Sequence, residues 1–467
     1  MNKATLILLF TVNLLSFRES IAQEDTITQE KIMEKVAKYY PSIIASYQEI
    51  ISKESSAQSA LGAYDVHVSN HSYAVVKGYY RRRYVDQKIS KSFTPLALKT
   101  YAGYSYGPGD FPPMFSVDST NSLGSPYVGF SFSTLKNSTI DDLRTNLKNT
   151  NLDISIAKNN QSAIKIEIKK MALTQFWNWV GMIKIQEIYE QLLSLALDRD
   201  SIFKEKVSKG DMPKIMLIEN NQYIAKRKSE LLSTKLAKKQ SGMDFSLFYR
   251  DDQGNPLIPV DTIAPREFPD HQQEINTKIF DKDKSIQLAL ERRPEFSSIN
   301  LELQKNGNSF LLAQNSLLPQ FDLYASLVRN RGCCDPTNYH HVYTIGFKFE
   351  IPIERNFAKG HLSAVTAQGQ TLEYEKKLMH NKISIEIDKK LQAIQSLEKM
   401  ISWAMQQVEM ATELVQAENY KFKKGGSNLF LVNIREESYA HAKVSLIQAH
   451  VQYLISIVDY LGELAML

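Results

Sequence analysis

The chain has 467 residues, 43% apolar and 23% charged, a globular composition that excludes wholesale disorder. Its formal charge of +5 is small for that length and its basic residues are scattered, which excludes the footprint of a nucleic-acid-binding protein. Two cysteines, the adjacent Cys333 and Cys334, exclude a disulfide scaffold.

Residues Met1 to Ala22 read as a cleaved secretory signal. Lys3 supplies the positive start, Ala4 to Phe17 is largely apolar, and Ser20-Ile21-Ala22 offers small residues to the peptidase. The apolar run is shorter than the roughly 20 residues a membrane span requires. Nothing beyond it resembles a transmembrane helix, so the mature protein is expected to be exported and either soluble or held in a membrane by strands.

Taken in order, Ile27 to Leu61 reads as helix with Pro41 near its start, and it runs into a strand opened by Tyr64-Asp65-Val66. Tyr127 to Ser133 alternates strictly, with Val128, Phe130 and Phe132 on one face and Gly129, Ser131 and Ser133 on the other. From Thr134 to Lys209 there is no proline, and Gly181 is the single glycine, so a long helix is expected. It ends at Lys209-Gly210-Asp211, a turn that leads into a second helix.

The same order then recurs. Ile279 to Leu317 reads as helix with Pro294 inside it and runs into Phe321-Asp322-Leu323, the start of another alternating strand. Tyr343 to Ile351 alternates Tyr343, Ile345, Phe347, Phe349 and Ile351 with Thr344, Gly346, Lys348 and Glu350. From Asn356 to Lys424 proline is again absent. Within that stretch Ile387, Leu391, Ile394, Leu397, Ile401, Met405, Val408, Ala411 and Val415 step by three and four, the coiled-coil spacing. At 1.5 Å per residue such a helix is a rod of roughly 100 Å. It ends at Lys424-Gly425-Gly426-Ser427 and leads into a last helix.

The two halves are an internal repeat. Gly210 aligns with Gly425, Tyr223 with Tyr439 and Ser229 with Ser445, at offsets of 215 or 216. From strand glycine to turn glycine is 81 residues in the first half and 79 in the second; from the strand-opening Asp to the strand glycine is 64 against 24. The first half therefore carries about 40 extra residues, including YAGYSYGPGDFPPMF (Tyr101 to Phe115), read as one more strand plus a structured loop. The domain reading is a signal over 1–22, a first repeat over 23–241, a linker over 242–275 and a second repeat over 276–467. Within the linker, Gly242 to Pro269 lacks periodicity and holds the turn run DDQGNPLIP.

Physically, alternating strands and long coiled-coil helices in one exported chain ask for two solvents. A strand with one apolar face sits in lipid only inside a closed barrel, because open edges leave backbone groups unpaired. About four strands per chain are too few to close a barrel with room inside, so several chains must contribute. The same alternation also suits a soluble sheet packed on helices.

The apolar leader, the proline-containing first helix, RRPEF…LLPQFDLYASL, YTIGFKFEIPI and KKGGSNLFLVNIREESYAHAKVSLIQAHVQYLISIVDYLGEL together resemble the TolC family of outer-membrane efflux proteins. The resemblance covers essentially the whole mature chain in order and is most specific over Ile279 to Leu464. It implies an α+β membrane protein. Strands from three identical chains would form one outer-membrane β-barrel, and long antiparallel helices one periplasmic α-helical barrel. It implies a passive exit duct of a tripartite efflux or type I secretion system in a Gram-negative type envelope. The partners would be two further copies of the chain, outer-membrane lipid, a periplasmic adaptor and an inner-membrane transporter. It implies that the adaptor meets the two tips, Lys209, Gly210 and Asp211 together with Lys424, Gly425, Gly426 and Ser427. Some family members constrict the closed tunnel with acidic residues just after the second tip. Here those positions fall on Leu431 and Ile434, and the nearby Arg435, Glu436 and Glu437 are the candidates for a polar constriction.

Other readings are an exported coiled-coil structural or adhesion protein without a barrel, and an enzyme. No nucleophile elbow, HExxH or phosphate loop is present, so no catalysis is expected. Cys333 and Cys334 lie near His340 and His341 in a loop between strands, a donor set that suits soft metals. Idle thiols or an adjacent disulfide explain it as well, and no metal, cofactor or nucleic acid is assigned.

Overall fold

The computed structural model describes residues 27–78, 81–108, 119–269, 281–332 and 340–467. The expected signal, the segment 109–118 and the Cys333-Cys334 pair lie outside them. The first half of the chain runs α1 (Gln29–Tyr39), α2 (Pro41–Leu61), β1 (His67–Val75), β2 (Arg82–Ser92), β3 (Lys99–Tyr106), β4 (Ser125–Ser133), α3 (Asp142–Ser208) and α4 (Lys214–Ser246). The second runs α5 (Lys282–Arg292), α6 (Pro294–Asn315), β5 (Gln320–Arg329), β6 (His341–Glu350), α7 (Asn356–Lys423) and α8 (Leu429–Glu463).

The repeat is visible in helix lengths. α1 and α5 have 11 residues each, α2 and α6 have 21 and 22, α3 and α7 have 67 and 68, and α4 and α8 have 33 and 35. Each entry helix, expected to be continuous, is broken at its proline. Tyr40 (ψ 125°) and Arg293 (ψ 121°) are extended. The proline ring clashes with a helical conformation of the residue before it and supplies no N–H donor.

Contacts divide the described residues into two units, each drawing on both halves of the sequence: those from 27 to 44 with those in 164–289 and 383–467, and those in 45–163 with those in 290–382. The first is helical. Its core is aromatic around Phe176, Trp177, Trp179 and Phe245, all buried, with Trp179 and Phe245 stacked at 5.6 Å. On α7 the spacing seen in the sequence is buried at Ile387, Leu391, Ile394 and Ile401, and Ile383 one turn earlier joins them, whereas Met405 is exposed. α4 runs past the expected end of the first repeat to Ser246. The DDQGN run is a tight turn closed by Asp251, whose Oδ1 accepts from the backbone N–H of Gln253 at 2.9 Å and Asn255 at 2.8 Å. These donors hold its carboxyl below the usual range.

The second unit holds one antiparallel six-stranded sheet in the order β1-β2-β3-β4-β5-β6. The sequence reading expected one extra strand in the first half; the structure has two, β2 and β3. The reason is parity. α2 delivers the chain to one end of the sheet and α3 departs from that same end, so strands can be added only in pairs. Tyr101 lies in β3 as expected, while β2, RRYVDQKISKS, carries charges on both faces and shows no alternation to read.

Register gives the sheet two unlike faces. The row Val68, Ile89, Ala102, Val128, Leu327 and Tyr343 crosses all six strands on the apolar face. The neighbouring row on the other face is His67, Ser90, Tyr101, Gly129, Ser326 and Thr344. On this polar face the strand glycines accommodate tyrosines. A Cβ on Gly103 would overlap the Tyr127 ring, one on Gly129 the Tyr101 ring, and one on Gly346 the Tyr324 ring. Each ring lies over the bare glycine opposite it, a cross-strand pairing that pins register. Replacing Gly129 with Val is expected to displace Tyr101, cost about 1–3 kcal/mol by overpacking, and lower the thermal midpoint of the β-sheet circular-dichroism signal. An unchanged midpoint would show that the pairing does not hold the register.

Candidate functional site

The two tips are built alike although their sequences differ. Gly210 and Gly425 both have φ of +80°, the left-handed region that glycine enters without steric cost. At the first tip, Gly210 N–H donates to Val207 O at 3.1 Å and Asp211 N–H to Lys206 O at 2.9 Å. At the second, Gly425 N–H donates to Phe422 O at 3.1 Å and Gly426 N–H to Lys421 O at 2.9 Å. These are paired Schellman closures, which satisfy the last carbonyls of α3 and α7. A Cβ on either glycine would meet nothing within 4 Å, so both backbones stand in open space.

The polar residues of the tips are used locally. Lys209 Nζ pairs with Glu205 Oε1 at 2.5 Å, and Ser427 Oγ donates to the Glu418 carboxylate. Asn428 caps α8 by accepting from Leu431 N–H at 2.9 Å. Asp211, Lys424, Gly425 and Gly426 are exposed. Beyond each tip an apolar pair one turn apart faces solvent: Ile215 and Ile218 on α4, Leu431 and Ile434 on α8. Both pairs are related by the offset of 216 found at Tyr223 and Tyr439. Behind the tips, the rings of Phe203 on α3 and Phe422 on α7 approach to 6.3 Å.

Arg435, Glu436 and Glu437, expected as a constriction, have three different environments. Glu436 is 2% exposed and lies inside the protein. Its Oε2 accepts from Arg227 Nη2 at 2.9 Å and its Oε1 from Arg199 Nη2. Asn433 Oδ1 accepts from both arginines at 3.0 Å, and Arg227 Nη1 donates to Leu192 O at 2.8 Å. Glu436 therefore keeps its charge inside the subunit, where it joins α3, α4 and α8. Glu437 accepts from Lys226 Nζ at 2.8 Å, and that hydrogen bond raises the Lys226 pKa. Arg435 is half-buried. The sequence reading missed Arg199, Arg227 and Asn433. Their one signal was polarity at apolar helical positions, and the pairing is between residues more than 200 apart.

Among the described residues no cluster of His, Cys, Asp or Glu suits a metal, and no helix is long and apolar enough to cross a membrane.

Residues 285–459 match the family profile described as "Outer membrane efflux protein". No curated protein sequence matches the chain. Among solved structures it is similar to the outer-membrane channel OprN, at a TM-score of 0.69 and 11% identity over 95% of this chain and 91% of that one. It is similar to the outer membrane protein VceC from Vibrio cholerae, at 0.64 and 13% over 94% and 96%. It is also similar to the Campylobacter jejuni outer membrane channel CmeC, at 0.64 and 12% over 95% and 89%. The likeness to these solved structures is one of fold, that of outer-membrane channels. The profile match over residues 285–459 lies within the second repeat and agrees with the TolC-family resemblance carried by the same stretch of sequence.

Replacing Glu436 with Ala leaves the buried Arg227 guanidinium and the half-buried Arg199 guanidinium without their carboxylate, and breaking a buried pair costs on the order of 3–5 kcal/mol. The helical thermal midpoint should fall sharply for Glu436→Ala and less for Glu436→Gln, which retains hydrogen-bonding atoms. Equal midpoints for wild type and Glu436→Ala would rule out this lock.

Proposed function

We propose that the chain forms, as a homotrimer, the passive exit duct of a tripartite efflux or type I secretion system. A periplasmic adaptor docks at the two tips, and an inner-membrane transporter supplies the energy. The observation that carries the duct is the sheet, which combines an apolar face with strands β1 and β6 that each pair on one side only. Lipid tolerates such a sheet only when the edges are closed. No single sheet of six strands closes with space inside, since about eight strands are filled by their own side chains.

The docking reading rests on the tips. Two equivalent glycine turns of exposed backbone, each followed by an exposed apolar pair, repeat a surface that an apolar helical partner fits. Arg435 and Glu437, near the second tip, are the members of the expected constriction that remain partly exposed.

The test is purification from an envelope fraction in detergent. The expected particle contains three copies of the 53.3 kDa chain, or slightly less after signal removal, and conducts ions in a planar bilayer. A monodisperse monomer without conductance would refute the duct. Docking is tested separately with Gly210→Val and Gly425→Val together. A β-branched residue at positive φ costs of order 1–3 kcal/mol per site and disrupts the turn. The double variant should remain trimeric and lose most adaptor co-purification; undiminished co-purification would refute docking at the tips.

A further inference from the structure

Comparison of the two repeats shows where the sheet has grown. In the second half, α6 leads into β5, β6 returns, and α7 departs, so two strands complete the excursion. In the first half α2 leads into β1 and β4 returns to α3, with β2 and β3 between them. An aromatic-Asp-aliphatic tripeptide precedes β1 (Tyr64-Asp65-Val66) and opens β5 (Phe321-Asp322-Leu323), and β4 and β6 carry GFSF and GFKF. β2–β3 is therefore a hairpin inserted between the strands equivalent to β5 and β6.

The hairpin is part of the sheet. β2 pairs with β1 over nine residues and with β3 over eight, and β3 pairs with β4 over seven. On the polar face Tyr127 Oη of β4 donates to Asp86 Oδ1 of β2 at 2.9 Å, reaching across β3. Lys88 Nζ lies 4.8 Å from the Tyr101 ring centroid, and the Tyr73 and Tyr84 rings are 5.4 Å apart. On the apolar face, Val68, Ile89 and Ala102 continue the row of Val128, Leu327 and Tyr343 without a polar interruption.

We propose that this hairpin widens the barrel of the trimer, so that three chains close eighteen strands, with β1 of each chain against β6 of the next. The proposal rests on the trimeric duct above. Six is an even number, so the edge strands β1 and β6 run antiparallel and a head-to-tail ring stays antiparallel throughout. The edges match in length, nine residues against ten. With strands about 4.8 Å apart and tilted about 40°, eighteen strands give a backbone diameter of about 36 Å, against about 24 Å for the twelve strands a duct of four-stranded subunits would have. Barrels of 16–18 strands leave an aqueous channel. The polar row of His67, Ser90, Tyr101, Gly129, Ser326 and Thr344 then faces that water, and the apolar row faces lipid.

Disulfide mapping in the full-length trimer tests this, in a background carrying Cys333→Ser and Cys334→Ser. Asn70→Cys with Gln87→Cys joins β1 to β2, directly opposite in register. Asn70→Cys with Val128→Cys joins β1 to β4, the pairing required if the hairpin is excluded from the barrel. Ser72→Cys combined in turn with Tyr343→Cys, Ile345→Cys or Phe347→Cys samples the edge between chains. The expected result is an intrachain β1–β2 disulfide at least tenfold more abundant than β1–β4, with covalent oligomers from one β1–β6 combination. A β1–β4 disulfide in an intact trimer overturns the eighteen-strand barrel and leaves the trimeric duct standing. A monomeric particle without interchain disulfides overturns both.

Discussion

Every backbone N–H and C=O of this protein must find a partner, and in the sheet that requirement is not met within one chain. β1 and β6 each present one unpaired side, and the apolar face exposes Val68, Tyr343, Ile345 and Phe347, with Ile345 86% exposed. In water such a surface invites aggregation, and in hydrocarbon each unpaired polar group costs several kcal/mol. In the proposed duct, further copies of the chain complete the hydrogen-bond ladder. The proposed barrel and duct answer that constraint together with the alternation of the strands.

The helical part obeys a different economy. Long helices make nearly all their backbone bonds internally and need partners only along a stripe, which the seam from Ile383 to Ile401 provides. Their ends are the exposed problem, since the last carbonyls of a helix lack intrahelical donors. Both tips solve it with a glycine at φ +80° and the same pair of reverse hydrogen bonds. Duplication preserved this geometry while the surrounding residues diverged, because the left-handed position tolerates little besides glycine. The resulting surface is bare backbone with adjacent apolar side chains.

The helical unit also holds the Arg199–Arg227–Asn433–Glu436 cluster. Two guanidiniums share one carboxylate and one amide oxygen in the interior, so every member depends on the others for compensation of its buried charge or dipole. Such a network fixes the relative position of three helices at a cost in desolvation. It is better suited to specifying one arrangement than to maximising stability.

The sequence by itself determined the duplication, the strand faces of GFSF and GFKF, the long helices and the glycine tips. These depend on local rules: period two, period three to four, and the conformational freedom of glycine. It did not determine that the entry helices break at Tyr40 and Arg293, although the prolines marked both places. It did not reveal β2, whose charges on both faces hide its strand character, so that the parity of the sheet had to be seen in three dimensions. Nor did it show that Glu436 points inward, because its partners Arg199 and Arg227 lie 237 and 209 residues away. Charge in a sequence reads as surface; only tertiary structure decides which charges are brought together in the interior, since long-range pairing leaves no periodic trace.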